Sequence, residues 1–261
     1  SMEHSDRVAA EVKQRSVPAY WIIGFFVFAN TMICYFDRVN FSVAAPTIMK
    51  LFHWDMGILG LAMSMFGVGY ILTQIPAGLL ADRFGGRKVL AAGSVGWSLC
   101  TVLTPFAGTP LLMYLVRGLL GLAEGLNFPG STSLLSKWVP LKARARIQGL
   151  NLSGVSAGPL IATPLTIWIM TGFGWKAMFY FYGILGFLWT AAWLFYSTEN
   201  PSEHKDMSRE NLKEIEAGQA AEAAVSVGDA PIRSKAVWGL ATAYTPRSKW
   251  GSLHPCLGWR H

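Results

Sequence analysis

Residues 17–36 read VPAYWIIGFFVFANTMICYF, and residues 37–49 continue DRVNFSVAAPTIM. The first of these segments carries no charge, and about 20 apolar residues is the length a helix needs to cross a bilayer. It is too long for the core of a signal peptide and runs on into Asp37-Arg38-Val39-Asn40, so it reads as a retained first helix. Apolar sequence resumes at once after these polar residues, which extends helix one from about Tyr20 to Met49 with a polar interruption in its middle.

Working outward, further apolar blocks predict helix two at about Gly57–Leu80, helix three at Val89–Phe106 and helix four at Leu111–Ser136. Helix five follows at Ile147–Thr171 and helix six at Ala177–Ser197. The connections carry turn chemistry: Lys50 to Asp55, the loop Asp82 to Lys88, Gly108-Thr109-Pro110, and Gly172-Phe173-Gly174-Trp175. The fold class expected is all-α, a polytopic transmembrane six-helix bundle occupying residues 17–197. Residues 1–16 form a cytoplasmic N-terminus. Residues 198–261 are a polar cytoplasmic segment, helical between Glu199 and Gly218, leading into a poorly ordered tail with no further spanning block.

Composition agrees. Hydrophobic residues make up 52% of the chain and charged residues 14%, against about 25% charged in an average soluble domain. The net charge of +7 is not a nucleic-acid footprint, because Lys and Arg sit in the short connections where orientation signals belong. Arg7, Lys13 and Arg15, then Arg83, Arg87 and Lys88, then Lys137, Lys142, Arg144 and Arg146 fall on one side, and only Lys50 and Lys176 on the other. Positive connections stay cytoplasmic, so both ends of the unit are expected there. Cys34, Cys100 and Cys256 give no disulfide or zinc framework, and no metal site is expected.

Ionisable groups at membrane depth are costly and point to function by default. Four stand out: Asp37, Arg38, Arg117 and Glu124. On helix one, Thr31, Tyr35, Arg38 and Ser42 form one polar stripe, with Asn30 and Asp37 beside it. On helix four, Tyr114, Arg117, Gly121, Glu124, Phe128 and Ser131 repeat the spacing, which puts Arg117 and Glu124 on one face about 10 Å apart along the axis. Helix two offers Gly67, Tyr70, Gln74 and Gly78 in a similar row. An arginine in a cavity of low dielectric is a bidentate clamp for a carboxylate. A carboxyl group there exchanges a proton near neutral pH because burial disfavours its charged form. The set therefore suits proton-coupled handling of an organic anion, with the proton as coupling ion and no other cofactor. The same four groups could instead neutralise one another and bind nothing. Tyr70 or Gln74 taken alone is more often an inter-helix hydrogen-bonding residue than a ligand contact. Gly154-x-x-x-Gly158 with Pro159 reads as a helix-packing or bending element. No His/Asp metal cluster, Gly-x-Ser-x-Gly or phosphate-binding glycine loop supports an enzyme.

The stretch Gly78-Leu79-Leu80-Ala81-Asp82-Arg83-Phe84-Gly85-Gly86-Arg87-Lys88 resembles the signature loop between helices two and three of the major facilitator superfamily. Tyr35 to Pro46, and Arg117 to Pro129 with Glu124, resemble helices one and four of its anion:cation symporter branch, which includes bacterial galactonate, glucarate and hexuronate transporters and sialic acid and vesicular glutamate transporters. The resemblance covers about residues 15–216. It implies that Asp37 and Glu124 couple protons, that Arg38 and Arg117 handle the anion, and that Tyr35 and Tyr70 line a sugar-acid site. It also implies that Asp82, Arg83 and Arg87 form a conformational gate, and that the protein sits in a bacterial inner membrane. Members of this superfamily have twelve helices in two similar halves with substrate held between them. This chain is expected to be the N-terminal half, a truncated, frame-shifted or deliberate fragment that works only by pairing with a second half or with itself, the alternative being a non-transporting fragment that retains the half-fold and binds a partner half. The tail, including Trp250-Gly251-Ser252-Leu253-His254-Pro255, does not resemble the family's seventh helix, and Ser1 before Met2 reads as a tag remnant.

Overall fold

A computed structural model describes residues 18–226. The expectations for residues 1–16 and for the tail beyond Ser226 lie outside the described residues. Within them the chain is helical, with no strand. The elements are α1 (Ala19–Phe52), α2 (Met56–Phe84), α3 (Gly86–Leu103), α4 (Pro110–Glu124), α5 (Asn127–Trp138), α6 (Leu141–Phe173), α7 (Trp175–Tyr196) and α8 (Arg209–Ser226). Short 3-10 turns occupy Thr104–Phe106 and Pro201–Glu203. Six spans are long and apolar enough to cross a membrane, the fourth (Pro110–Trp138) being α4 and α5 together. The spans lie in one compact unit that ends at Ile215; the described part of the second, Glu216–Ser226, is helical.

Each span begins before its apolar block, by up to two turns, because a backbone already hydrogen-bonded in the hydrocarbon propagates through polar residues at the interface, whereas α3 stops at Leu103, short of the expected Phe106, where a 3-10 turn takes over. The basic residues Lys142, Arg144 and Arg146 are thus the opening turns of α6. The connections shrink in step. The expected loop Asp82–Lys88 is a single residue, Gly85, at φ 89° and ψ 146°. Gly174 does the same between α6 and α7 at φ 86°. Asp55 caps α2 by accepting from the Ile58 N–H (2.8 Å), and Thr109 caps α4, with Pro110 as its first residue.

Helix four departs from the expectation of one continuous helix. It breaks after Glu124, and α5 resumes at Asn127. The physical cause is Pro129: it has no N–H for the Gly125 carbonyl four residues back, and its ring crowds that carbonyl. The Leu126 N–H turns to the nearer carbonyl of Ala123 at 3.3 Å.

The helices pack in pairs through small residues. Gly154 and Gly158 of α6 lie on the Phe28 and Met32 carbonyls of α1, so this motif is a packing element here. Gly69, Gly121 and Gly125 close α2 on α4, with Gly121 against the Phe66 carbonyl and Gly125 against that of Tyr70. Two buried apolar clusters hold the ends. Ile23, Leu134, Trp138, Trp189 and Trp193 lie at the basic end, and Phe41, Ile48, Trp54, Met113 and Phe179 towards the other. Between them runs a layer of buried polar side chains.

Candidate functional site

That layer is built where α1, α2, α4 and the α4–α5 break converge. Arg38 projects from the middle of α1, which runs without interruption through Asp37–Asn40. Its Nε donates to Glu124 Oε2 at 2.9 Å, the carboxylate being fully buried and the arginine side chain 26% exposed. The guanidinium lies over three rings: Tyr35 at 4.3 Å, Tyr70 at 4.9 Å and Phe66 at 5.2 Å. Tyr35, Arg38, Tyr70 and Glu124 thus form one group. Aromatic faces hold the guanidinium without neutralising it, since their attraction is to the ring quadrupole.

Arg117, 4% exposed, lies over Phe41 (4.2 Å) and the same Phe66 (5.1 Å). It makes no hydrogen bond or ion pair with any described residue, and its Nε is buried without a partner. Arg117 and Glu124 share a face of α4 but form no hydrogen bond or ion pair with each other, and Glu124 pairs through Oε2 with Arg38. Asp37 is buried on the adjoining face of α1. One oxygen accepts from Asn40 at 3.1 Å and the other has no hydrogen-bond partner. Arg38 Nη2 and Glu124 Oε1 are likewise unpaired. Of these four groups, Arg38 and Glu124 form an ion pair, and Arg117 and Asp37 form none with a described residue.

One turn further along α2 from Tyr70, Gln74 is half-buried and forms no hydrogen bond with a described residue. Ser42, in the predicted stripe, is exposed and donates to the Arg38 carbonyl. The loop residues lie away from this centre, at the basic end. Arg87 bridges to the end of α7, donating to Ser197 Oγ (3.0 Å) and the Leu194 carbonyl (2.8 Å), while Trp193 Nε1 donates to the Arg87 carbonyl. Asp82 and Arg83 are exposed, Arg83 lying over the Phe84 ring.

Sequence reading missed a second polar group below Glu124. Asn127 accepts from Asn30 (2.9 Å) and donates to Thr31 (3.2 Å), and Thr31 donates to Asn151 of α6 (2.6 Å). Asn151 reaches Ser131 at 3.4 Å. This chain ties α1, α5 and α6 together beside the break. Asn30 and Thr31 were visible as polar residues in an apolar block. Asn127 and Asn151 sit among residues compatible with a turn or an interface, and Phe66 and Phe41 carry no polar signal at all. Phe66 was recoverable only from its place four residues before Tyr70.

The Major Facilitator Superfamily model matches residues 27–253, and this chain belongs to that superfamily. It is 37% identical over 213 residues to the chloroplastic ascorbate transporter of Arabidopsis thaliana, covering 80% of this chain and 39% of the relative. It is 36% identical over 218 residues to the probable sulfoacetate transporter SauU of Cupriavidus necator, covering 82% and 50%. The inward-facing, occupied crystal structure of a bacterial homolog of the human lysosomal transporter Spinster superposes with a TM-score of 0.63 at 22% identity, covering 75% of this chain and 48% of that one. At that identity the likeness is one of fold.

The chain thus spans half or less of the length of these relatives and is a six-helix half of the major facilitator fold. It is an integral membrane protein of a transporter family and not an enzyme, and the resemblance to the anion:cation symporter branch is borne out. The match also reaches further than residues 15–216. The superfamily model extends to residue 253, and the probable anion transporter 1 of rice aligns over 96% of the chain.

Proposed function

We propose that this chain supplies half of the path for a small organic anion, a sugar acid such as an aldonate, aldarate or hexuronate, moved by proton symport. The observation that carries the reading is Arg117, a buried guanidinium that makes no hydrogen bond or ion pair with a described residue, seven residues along α4 from a carboxylate already paired to Arg38. A buried charge left unpaired is expensive, and a ligand carboxylate supplies the missing partner with bidentate geometry. The names of the relatives, ascorbate, sulfoacetate and anion transporters, are consistent with that ligand class.

In this reading Arg38 and Arg117 bind the anion, with Tyr35, Tyr70 and Gln74 along the wall. Glu124 and Asp37 carry the coupling proton. When Glu124 takes up a proton its pairing with Arg38 weakens, and Arg38 becomes available to the substrate. Arg87, joined to the end of α7, with Asp82 and Arg83 forms the gate at the basic end. That end faces the cytoplasm of a bacterial inner membrane, as the charge distribution directs. A second half, from another chain or from a second copy, covers the polar layer.

The test is uptake of labelled galactonate, glucarate and glucuronate into proteoliposomes of the purified chain, with and without an inward proton gradient. Gradient-driven accumulation that disappears in Glu124→Gln supports the assignment. Accumulation that is unchanged in Glu124→Gln overturns the coupling role. Absence of uptake after confirmed insertion, with and without a co-reconstituted second half, overturns the transport reading.

A further inference from the structure

On the outer surface of the bundle, Leu80 and Phe84 of α2 and Lys88, Val89 and Ala92 of α3 enclose a groove of about 280 Å3, with Leu126 also lining it. Every residue in that lining is apolar except Lys88. The hairpin at Gly85 sets its direction. Phe84 and Lys88 mark the basic end, while Leu80 and Ala92 lie one turn deeper, about 6 Å at 1.5 Å per residue. Lys88 is exposed and has no hydrogen-bond or ion-pair partner among the described residues. The nearby cations do not close the groove: Arg87 is held at the end of α7, and Arg83 lies 5.3 Å over the Phe84 ring. Leu79, Leu80 and Phe84 are 69%, 38% and 50% exposed, on a helix long and apolar enough to cross a membrane.

We propose that this groove is a binding site for an anionic phospholipid of the leaflet at the basic end. One acyl chain lies along Leu80, Phe84 and Ala92, and Lys88 holds the phosphate. Charge complementarity selects the headgroup, because a lysine at the edge of the hydrocarbon attracts anionic lipid and not zwitterionic lipid. Its methylene stem covers apolar wall while the ammonium stays at headgroup level. The apolar lining favours a hydrocarbon chain over a polar solute. Leu126 lies between α4 and α5, so the bound chain touches the break two residues from Glu124.

Native mass spectrometry of the full chain, released from bilayers of equal phosphatidylglycerol and phosphatidylcholine, tests the site. One lysine–phosphate contact predicts retention of phosphatidylglycerol over phosphatidylcholine by about fivefold. Lys88→Gln brings the ratio close to one. Ala92→Trp fills the groove while keeping Lys88, and loses the retained lipid. Both side chains are exposed, so each variant melts with the parent in pure phosphatidylcholine. Equal retention of the two lipids by the parent overturns the proposal. So does a preference that survives either substitution, which signals general attraction to the basic end, or retention of a second polypeptide in place of lipid.

Discussion

Arg38 has two kinds of partner at once, a buried carboxylate at 2.9 Å and three aromatic faces, whereas Arg117 has only rings. The difference predicts different behaviour. Arg117→Ala abolishes anion binding, read by isothermal titration with glucarate, leaves insertion intact and costs only its ring contacts and packing, since no hydrogen bond or ion pair is lost. Arg38→Ala abolishes binding too but also lowers the melting temperature, because it strands Glu124 as a buried unpaired charge. Unchanged binding in both variants sinks the clamp assignment. The asparagine group makes a second prediction. Asn127→Leu removes the acceptor of Asn30 and a donor to Thr31 and destabilises the bundle by about 1–2 kcal/mol. Thermal unfolding in detergent measures this. Asn30→Leu added to it costs less than the sum of the two single changes, since the stranded amide is then gone. The charged residues of the site were legible in sequence because charge in an apolar block is conspicuous. Asn127 and Asn151 were not, because an amide signals nothing until its partners on other helices are known.

At the scale of elements, single glycines replace loops. Gly85 and Gly174 share a backbone region that is nearly exclusive to glycine, which costs other residues about 1–3 kcal/mol. Their surroundings differ: an added Cβ at Gly174 meets nothing, while at Gly85 it meets the Glu199 carboxylate. Gly174→Ala therefore loses only the backbone cost. Gly85→Ala loses that cost and also displaces Glu199 from Lys137, 3.7 Å away. The expected order of melting temperatures is parent, then Gly174→Ala, then Gly85→Ala, and equal losses in the two variants contradict the Glu199 contact. Helix existence was legible from apolar block length. Helix ends were not, because the backbone continues into the interface where the apolar signal has stopped. The break after Glu124 was in principle readable from Pro129, whose missing N–H acts four residues upstream.

The six-span unit is an antiparallel bundle with most of its described basic residues at one end, and that asymmetry predicts accessibility. In a Cys256→Ser background, Lys142→Cys at the start of α6 (side chain 88% exposed) reacts with a membrane-impermeant maleimide only in inside-out vesicles. Met56→Cys at the start of α2, 72% exposed, reacts only in right-side-out cells. Cys34 and Cys100 are buried and do not interfere. The reverse pattern overturns the orientation. The sequence by itself determined the solvent, the number of spans and the family. Each of these depends on quantities that are local in the chain: block length and the order of residues in one turn. The tertiary structure alone decided the pairing. Glu124 meets Arg38 and not Arg117, Thr31 turns to α6 while Arg38 turns to α4, and Phe66 stands between two guanidiniums. Periodicity fixes which residues share a face of one helix. Which face meets which neighbour depends on how closely glycines let the helices approach, and that is a property of pairs of helices far apart in sequence.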